Sequence, residues 1–293
     1  MKNYLSPAEI AEYSEESGVK KANTSAVNLF VLGILAGAFI AFASEGSNMA
    51  AFTLFAKPDT YGLGKVVAGT IFGTGLMFVL IAGGELFTGN TLMSIALIRR
   101  KITLVQMLRN WLLVYVGNFV GSILIAVMMN YSGLFHTGDN MLGGITIKLA
   151  AYKLGLNFGQ AFVLGIMCNW LVCLAVWLCY GAKDMSGKIW GVFFPIWLFI
   201  TSGFEHSIAN MYYISAGILA KSNPDLLAAA QSVGLDAEHA AELTWSNMFL
   251  HSLLPVTLGN IIGGSIFVGF AYWFVYMRGS KTKNNAHAFA LKR

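Results

Sequence analysis

The chain has 293 residues, of which 56% are hydrophobic and only 11% charged, and its formal net charge is +5. A soluble domain carries roughly 25% charged residues, so this composition and a mean hydropathy of +0.64 point to a membrane protein and away from a water-soluble enzyme or binding module. The pI near 9.0 gives no reason to invoke nucleic acid, because the basic residues lie at the edges of apolar runs.

Residues 1–23 are polar and acid-rich, without the apolar core of a signal peptide. Ser6-Pro7-Ala8-Glu9 has the pattern of a capping box with proline at the first helical position. An N-terminal helix is therefore predicted, with a weak apolar stripe of Leu5, Ile10, Tyr13 and Val19. It would rest on the membrane or on a neighbour, or act as a lid over a mouth. A six-span domain is predicted over 24–280. The spans fall near residues 27–43, 66–98, 104–129, 158–180, 189–219 and 249–277, each long enough for the hydrocarbon core. Residues 222–246 read as an insertion with a short helix, and residues 281–293 as a basic cytoplasmic tail. Six spans put both termini on one side. Fourteen of the 19 basic residues fall on that side, which makes it the cytoplasm.

Two spans are too long and are interrupted. The second breaks at Gly83-Gly84-Glu85-Leu86-Phe87-Thr88-Gly89-Asn90 and the fifth at Ser202-Gly203-Phe204-Glu205-His206-Ser207. Ionisable groups at membrane depth are functional candidates, and paired interruptions in the two halves of a chain point to a transport site. Tyr115-Val116-Gly117-Asn118-Phe119-Val120-Gly121-Ser122 echoes Thr257-Leu258-Gly259-Asn260-Ile261-Ile262-Gly263-Gly264. The fold class expected is an all-α membrane protein built as an inverted repeat of three spans plus three, with two broken helices.

His206 is the one histidine at mid-membrane depth, and imidazole can hold an anion or exchange its proton near neutral pH. Thr88, in the other break, can donate and accept, to His206 or to a solute. Glu85 and Glu205 are expected to brace the breaks by accepting exposed backbone N–H groups. Asn169 is either polar glue or a pore-lining amide. Lys153 either attracts anions or snorkels to the interface. Phe72, Leu76, Leu86, Phe87 and Phe199 flank the breaks as candidate hydrophobic constrictions, with ordinary packing as the alternative for each. Cys168, Cys173 and Cys179 share one apolar segment without metal or redox spacing. No Walker A motif, HExxH motif or metal-spaced Cys/His cluster is present, so neither ATP, a metal nor another cofactor is expected.

Gly84–Thr91, Asn169–Ala175, Ser202–Met211 and Val256–Asn260 together resemble the formate/nitrite transporter family, and the likeness extends over every span. The resemblance implies an aquaporin-like protomer in a homopentamer within a bacterial-type cytoplasmic membrane, with one pore per protomer. It implies a central pore pair of Thr88 and His206, with Glu205 supporting the break; Asn210 belongs to the same Gly203–Met211 segment. Asn169 and Val172 would line the pore and Lys153 would attract anions from outside. Leu76, Leu86 and Phe199 would form a cytoplasmic-side constriction, with Phe72 and Val172 on the exterior side. Formate is the first expected substrate, then nitrite, then hydrosulfide, with protons involved in permeation. A neutral-solute facilitator is the alternative from another class, though paired Asn-Pro-Ala boxes are absent. A hydrolase using His206 is disfavoured because the adjacent Ser207 makes poor triad geometry.

Overall fold

The computed structural model describes residues 3–279, and the regular elements among them are helical. The tail expected over 281–293 lies outside the described residues. Helix α1 (Pro7–Ala22) begins as its sequence requires. The Ser6 side chain accepts the Glu9 N–H, and the Glu9 carboxylate accepts the Ser6 N–H at 2.6 Å. It is followed by α2 (Ala26–Phe55) and α3 (Pro58–Gly83), then by a break, α4 (Phe87–Ile98) and α5 (Leu104–Ser132). The second half comprises α6 (Met141–Leu154), α7 (Phe158–Gly181), α8 (Met185–Ser202), a second break and α9 (Ser207–Ala220). Two short helices, α10 (Pro224–Ser232) and α11 (Ala237–Ala241), occupy the insertion. The last span is α12 (Trp245–Tyr276).

Five helices among the described residues are each long and apolar enough to cross a bilayer, and α8 with α9, bent by 52°, makes a sixth. The chain is thus an all-α integral membrane protein with two broken spans. Both breaks depend on glycine. Gly83 has φ +108° and Gly203 φ +80°, values that an L side chain rarely adopts. Leu86 and His206 then take nearly the same extended conformation and start α4 and α9.

The first span is longer than its apolar run. Helix α2 continues past Glu45, because that carboxylate accepts the Tyr212 hydroxyl inside the protein. The sequence reading also missed α6. It is the repeat partner of α1: each ends just before the first long span of its half, and each ends on a lysine-bearing turn. The two long spans of each half touch at glycines. A Cβ on Gly37 of α2 would collide with the Asn118 carbonyl of α5, and one on Gly259 of α12 with the Phe162 carbonyl of α7. Small residues let membrane helices approach this closely, where dispersion and interhelical hydrogen bonds replace the hydrophobic effect. The breaks cross between halves. Helix α4 packs on α7 and α12, and α9 packs on α5 and α2.

Candidate functional site

The site is built where the two breaks meet. A break strips backbone groups of their helical partners, and in hydrocarbon each needs another. Two asparagines supply them. Asn118 Oδ1 accepts the Phe87 N–H at 3.0 Å, while its Nδ2 donates to the Gly33 and Glu85 carbonyls at 2.8 and 2.9 Å. Asn260 does the same for the other half: it accepts from Ser207 N–H at 2.9 Å and donates to Gly165 and Glu205 carbonyls at 2.8 and 3.0 Å. The Glu85 and Glu205 N–H groups reach across to the carbonyls of Leu32 and Leu164.

The carboxylates of Glu85 and Glu205 therefore do not accept backbone N–H groups, contrary to expectation. Each takes a lysine and an asparagine. Lys21 of α1 donates to both Glu85 oxygens at 2.8 Å, and Asn90 Nδ2 to one of them at 2.7 Å. Lys153 of α6 donates to Glu205 at 2.8 and 3.1 Å, and Asn210 Nδ2 at 2.6 Å. Asn90 and Asn210 end on Asn110 and Ser252 at 2.8 and 2.9 Å. Burial by itself lowers the Lys21 pKa, but Glu85, helped by Tyr180, outweighs it and holds the ammonium above its ordinary value.

Between these two frames Thr88 Oγ1 and His206 Nε2 stand 3.0 Å apart, both buried. His206 is also the N-cap of α9: its Nδ1 accepts the Ala209 N–H at 3.0 Å. A neutral ring with that acceptor carries its proton on Nε2, which donates to Thr88. The Thr88 hydroxyl then keeps its own proton to give. In the repeat the counterpart of His206 is Leu86, and that of Thr88 is Ile208, as the matched pairs Glu85/Glu205, Phe87/Ser207 and Asn90/Asn210 show. The polar pair thus departs from the symmetry of the frame around it.

Asn169 donates to the carbonyls of Thr88 and Asn260 at 3.2 and 2.6 Å and to Thr91 Oγ1 at 3.1 Å. Its amide hydrogens are spent on joining the two halves. Val172 lies in the same packed interior. Phe72 and Phe199 meet edge-on at 5.5 Å, and Phe199 stacks on the His206 ring at 6.1 Å. Leu76 and Leu86 line a small cavity with Lys21, of about 20 Å³. Phe199 thus contacts Phe72, while Leu76 and Leu86 meet at this small cavity. The Phe87 ring packs on Trp111 and Tyr115 of α5 at 5.8 and 4.9 Å. A larger cavity of about 500 Å³ lies on the α6 face, lined among others by Lys153, Glu205, Phe204 and Lys65. The cysteines are free and buried, and no cluster of His, Cys, Asp and Glu among the described residues is fit to hold a metal.

Sequence reasoning missed Lys21, Asn118 and Asn260 as functional supports. The repeated Gly-Asn dipeptides at 117–118 and 259–260 were the available signal for the two asparagines.

Comparison with known proteins agrees with this architecture. A family model described as formate/nitrite transporter matches residues 8–274. The formate channel FocA of Haemophilus influenzae is 39% identical over 273 residues, covering 90% of this chain and 92% of that one. The formate channel BtFdhC of Bacillus thuringiensis is 40% identical over 274 residues, covering 93% and 96%. A solved pentameric formate channel with formate bound superposes with a TM-score of 0.73 at 36% identity, covering 86% of this chain and 98% of that one.

Proposed function

This chain belongs to the formate/nitrite transporter family, and from that premise we propose that it carries small monovalent anions, formate foremost, through a pore centred on Thr88 and His206. The observation that carries this reading is the 3.0 Å contact between Thr88 Oγ1 and His206 Nε2, set between a cavity on each face and flanked by apolar side chains. An anion entering such a passage loses its water at large cost. At the centre it meets a hydroxyl proton from Thr88, itself held by the Nε2–H of His206.

Beyond that pair stand Phe72 and Phe199 on one side and Leu76 and Leu86 on the other. These apolar steps favour the neutral conjugate acid over the anion, so permeation rises as protons become available. Two roles for His206 are compatible with such pH dependence. Its geometry supports the hydrogen-bond donor better than a proton relay, because the Nδ1 lone pair that a second proton would need is occupied by Ala209 N–H. Lys153 stands at the α6-face mouth, where Glu205 takes up its charge. Asn169 and Val172 keep the central pair in place from behind. Glu85 with Asn90 and Glu205 with Asn210 hold the two breaks.

The reading extends to the assembly: a homopentamer with a pore in each protomer, both termini on the cytoplasmic side of a bacterial-type cytoplasmic membrane, and no catalysis. Nitrite and hydrosulfide rank after formate as substrates. The test is flux in proteoliposomes across pH 5–8 for formate, nitrite and hydrosulfide, with His206→Asn and His206→Phe beside the wild type. Asparagine keeps an N-cap acceptor but removes Nε2, so His206→Asn is expected to fold and to lose most of the pH-dependent exchange. Wild-type-like flux and pH dependence in both variants would refute the central role of His206.

A further inference from the structure

The larger cavity contains a second ammonium group that no ion pair uses. Lys65 of α3 lines it together with Lys153. Its Nζ stands 3.4 Å from where a Cβ on Gly203 would be and 5.8 Å from the centroid of the Tyr61 ring. It has no hydrogen bond or carboxylate partner among the described residues. Lys153 is in the opposite situation, since both Glu205 oxygens engage it. Both Lys153 and Glu205 lie within electrostatic reach of Lys65. Glu205 is the one carboxylate lining the cavity. Two ammonium groups against one carboxylate leave a positive charge, and the geometry leaves it on Lys65.

Two further residues lining the cavity carry buried polar groups without partners. Asn48 of α2 is 1% exposed, and its Nδ2 has no acceptor. Thr201 in the last turn of α8 has an unpartnered Oγ1. Thr201 sits against Gly69, one turn along α3 from Lys65, and Gly203 against Lys65 itself, so the end of α8 brackets the ammonium group. Glu45, one turn before Asn48, does not compete for Lys65; it accepts the Tyr212 hydroxyl and does not line the cavity. Unsatisfied buried donors are rare and call for an explanation. An ammonium, an amide N–H and a hydroxyl among the residues lining one cavity are the donor set of an oxyanion receptor.

We propose that Lys65, Thr201 and Asn48 form an entry subsite for a small oxyanion, a monocarboxylate or nitrite, where the ion waits before reaching Thr88 and His206. The proposal rests on the anion-transport reading and assigns the waiting charge to Lys65, not to the neutralised Lys153. Because the ammonium borders an open cavity, its attraction is screened by salt.

The test uses the full chain, with formate as probe, in two assays. In proteoliposomes at low ionic strength, Lys65→Gln is expected to raise the half-saturating formate concentration about 3- to 10-fold, Thr201→Val about 3-fold, and Lys65→Arg to restore the wild-type value; the Lys65→Gln effect should shrink as salt is added. In detergent, formate is expected to raise the unfolding temperature of the wild type relative to matched chloride, by mass action on the folded state, and Lys65→Gln should lose half or more of that rise. Wild-type half-saturation and wild-type thermal shift in both Lys65→Gln and Thr201→Val would overturn the subsite while leaving the transport reading intact. A wild type that moves no formate, yet shows a Lys65-dependent thermal shift, would overturn the transport reading and support the subsite.

Discussion

Asn118→Leu is the most exacting perturbation of the frame around Thr88 and His206. The change removes one acceptor and two donors at once. Gly33 lies inside α2, so its carbonyl keeps a helical bond. The Phe87 N–H and the Glu85 carbonyl lose their interhelical partner within a buried break. An orphaned buried group costs about 1–3 kcal/mol, which gives about 2–6 kcal/mol for the two; partial relaxation puts the expectation near 3 kcal/mol. At roughly 2–4 °C per kcal/mol for a chain of this size class, the unfolding temperature should fall by roughly 6–12 °C. The assay is thermal unfolding in a mild detergent followed by size-exclusion recovery, with formate flux measured in parallel. Flux should fall too, because Phe87 begins the helix that carries Thr88. Asn260 makes the same three bonds in the other half, so Asn260→Leu should give a loss of the same order. If both variants melted within 2 °C of wild type and carried formate normally, the asparagines would not be the supports of the breaks.

Lys153→Met leaves the Glu205 carboxylate buried with Asn210 as its remaining donor; breaking a buried ion pair in this way costs about 3–5 kcal/mol, and Lys153→Met with Glu205→Gln should recover most of the lost unfolding temperature. Deleting residues 1–21 should alter the pH dependence of flux and also lower thermal stability, because it removes both Glu15, paired with Arg99, and Lys21, the partner of Glu85; a truncation with wild-type melting and wild-type pH dependence would make α1 a passive surface helix. In the insertion, the Asp236 carboxylate holds His239 above its ordinary 6.5, while bonds from His239 hold Asp236 below its ordinary 3.8. That pair should therefore stabilise α11 fully between those two ordinary values, fading as pH rises through the raised His239 value and again as it falls through the lowered Asp236 value; an NMR titration of His239 at or below 6.5 would contradict this.

The breaks were legible because glycines and ionisable residues cannot sit unnoticed in apolar runs, and the contact between Thr88 and His206 followed from placing one in each break. The inverted repeat was legible at Gly117/Gly259 and Gly121/Gly263. Its register at the centre was not. Thr88 looked like the counterpart of His206, whereas the frame equates His206 with Leu86. The roles of Glu85 and Glu205 were misread for a related reason: their partners, Lys21 and Lys153, come from helices α1 and α6, and which helix folds over a break is a tertiary fact. Helix α6 escaped notice because MLGGITIKLAAYKL is too short for a span and too apolar to read as a loop. The division of labour between Lys65 and Lys153 depends on which one reaches Glu205, and no spacing encodes that.

The exchange of broken helices between the halves bears on how any solute can move. In many transporters of inverted-repeat design, alternating access comes from one repeat rocking against the other around a fixed site. Here α4 of the first half is held by α7 and α12 of the second, through Asn169, Thr91 and Ser265, and α9 of the second half is wedged among helices of the first. Tyr115 and Thr257, at matched positions of the two repeats, are joined to each other at 2.9 Å. Rocking would tear these joints on both sides at once. The halves are clasped like two hooked hands, and the motion left to the molecule is local: a ring turning at Phe72 or Phe199, a leucine changing rotamer, a short helix lifting at a mouth. On the transport reading proposed above, each protomer is thereby committed to a continuous path with narrow doors, and the rate of passage becomes a matter of side-chain rotation and not of domain travel.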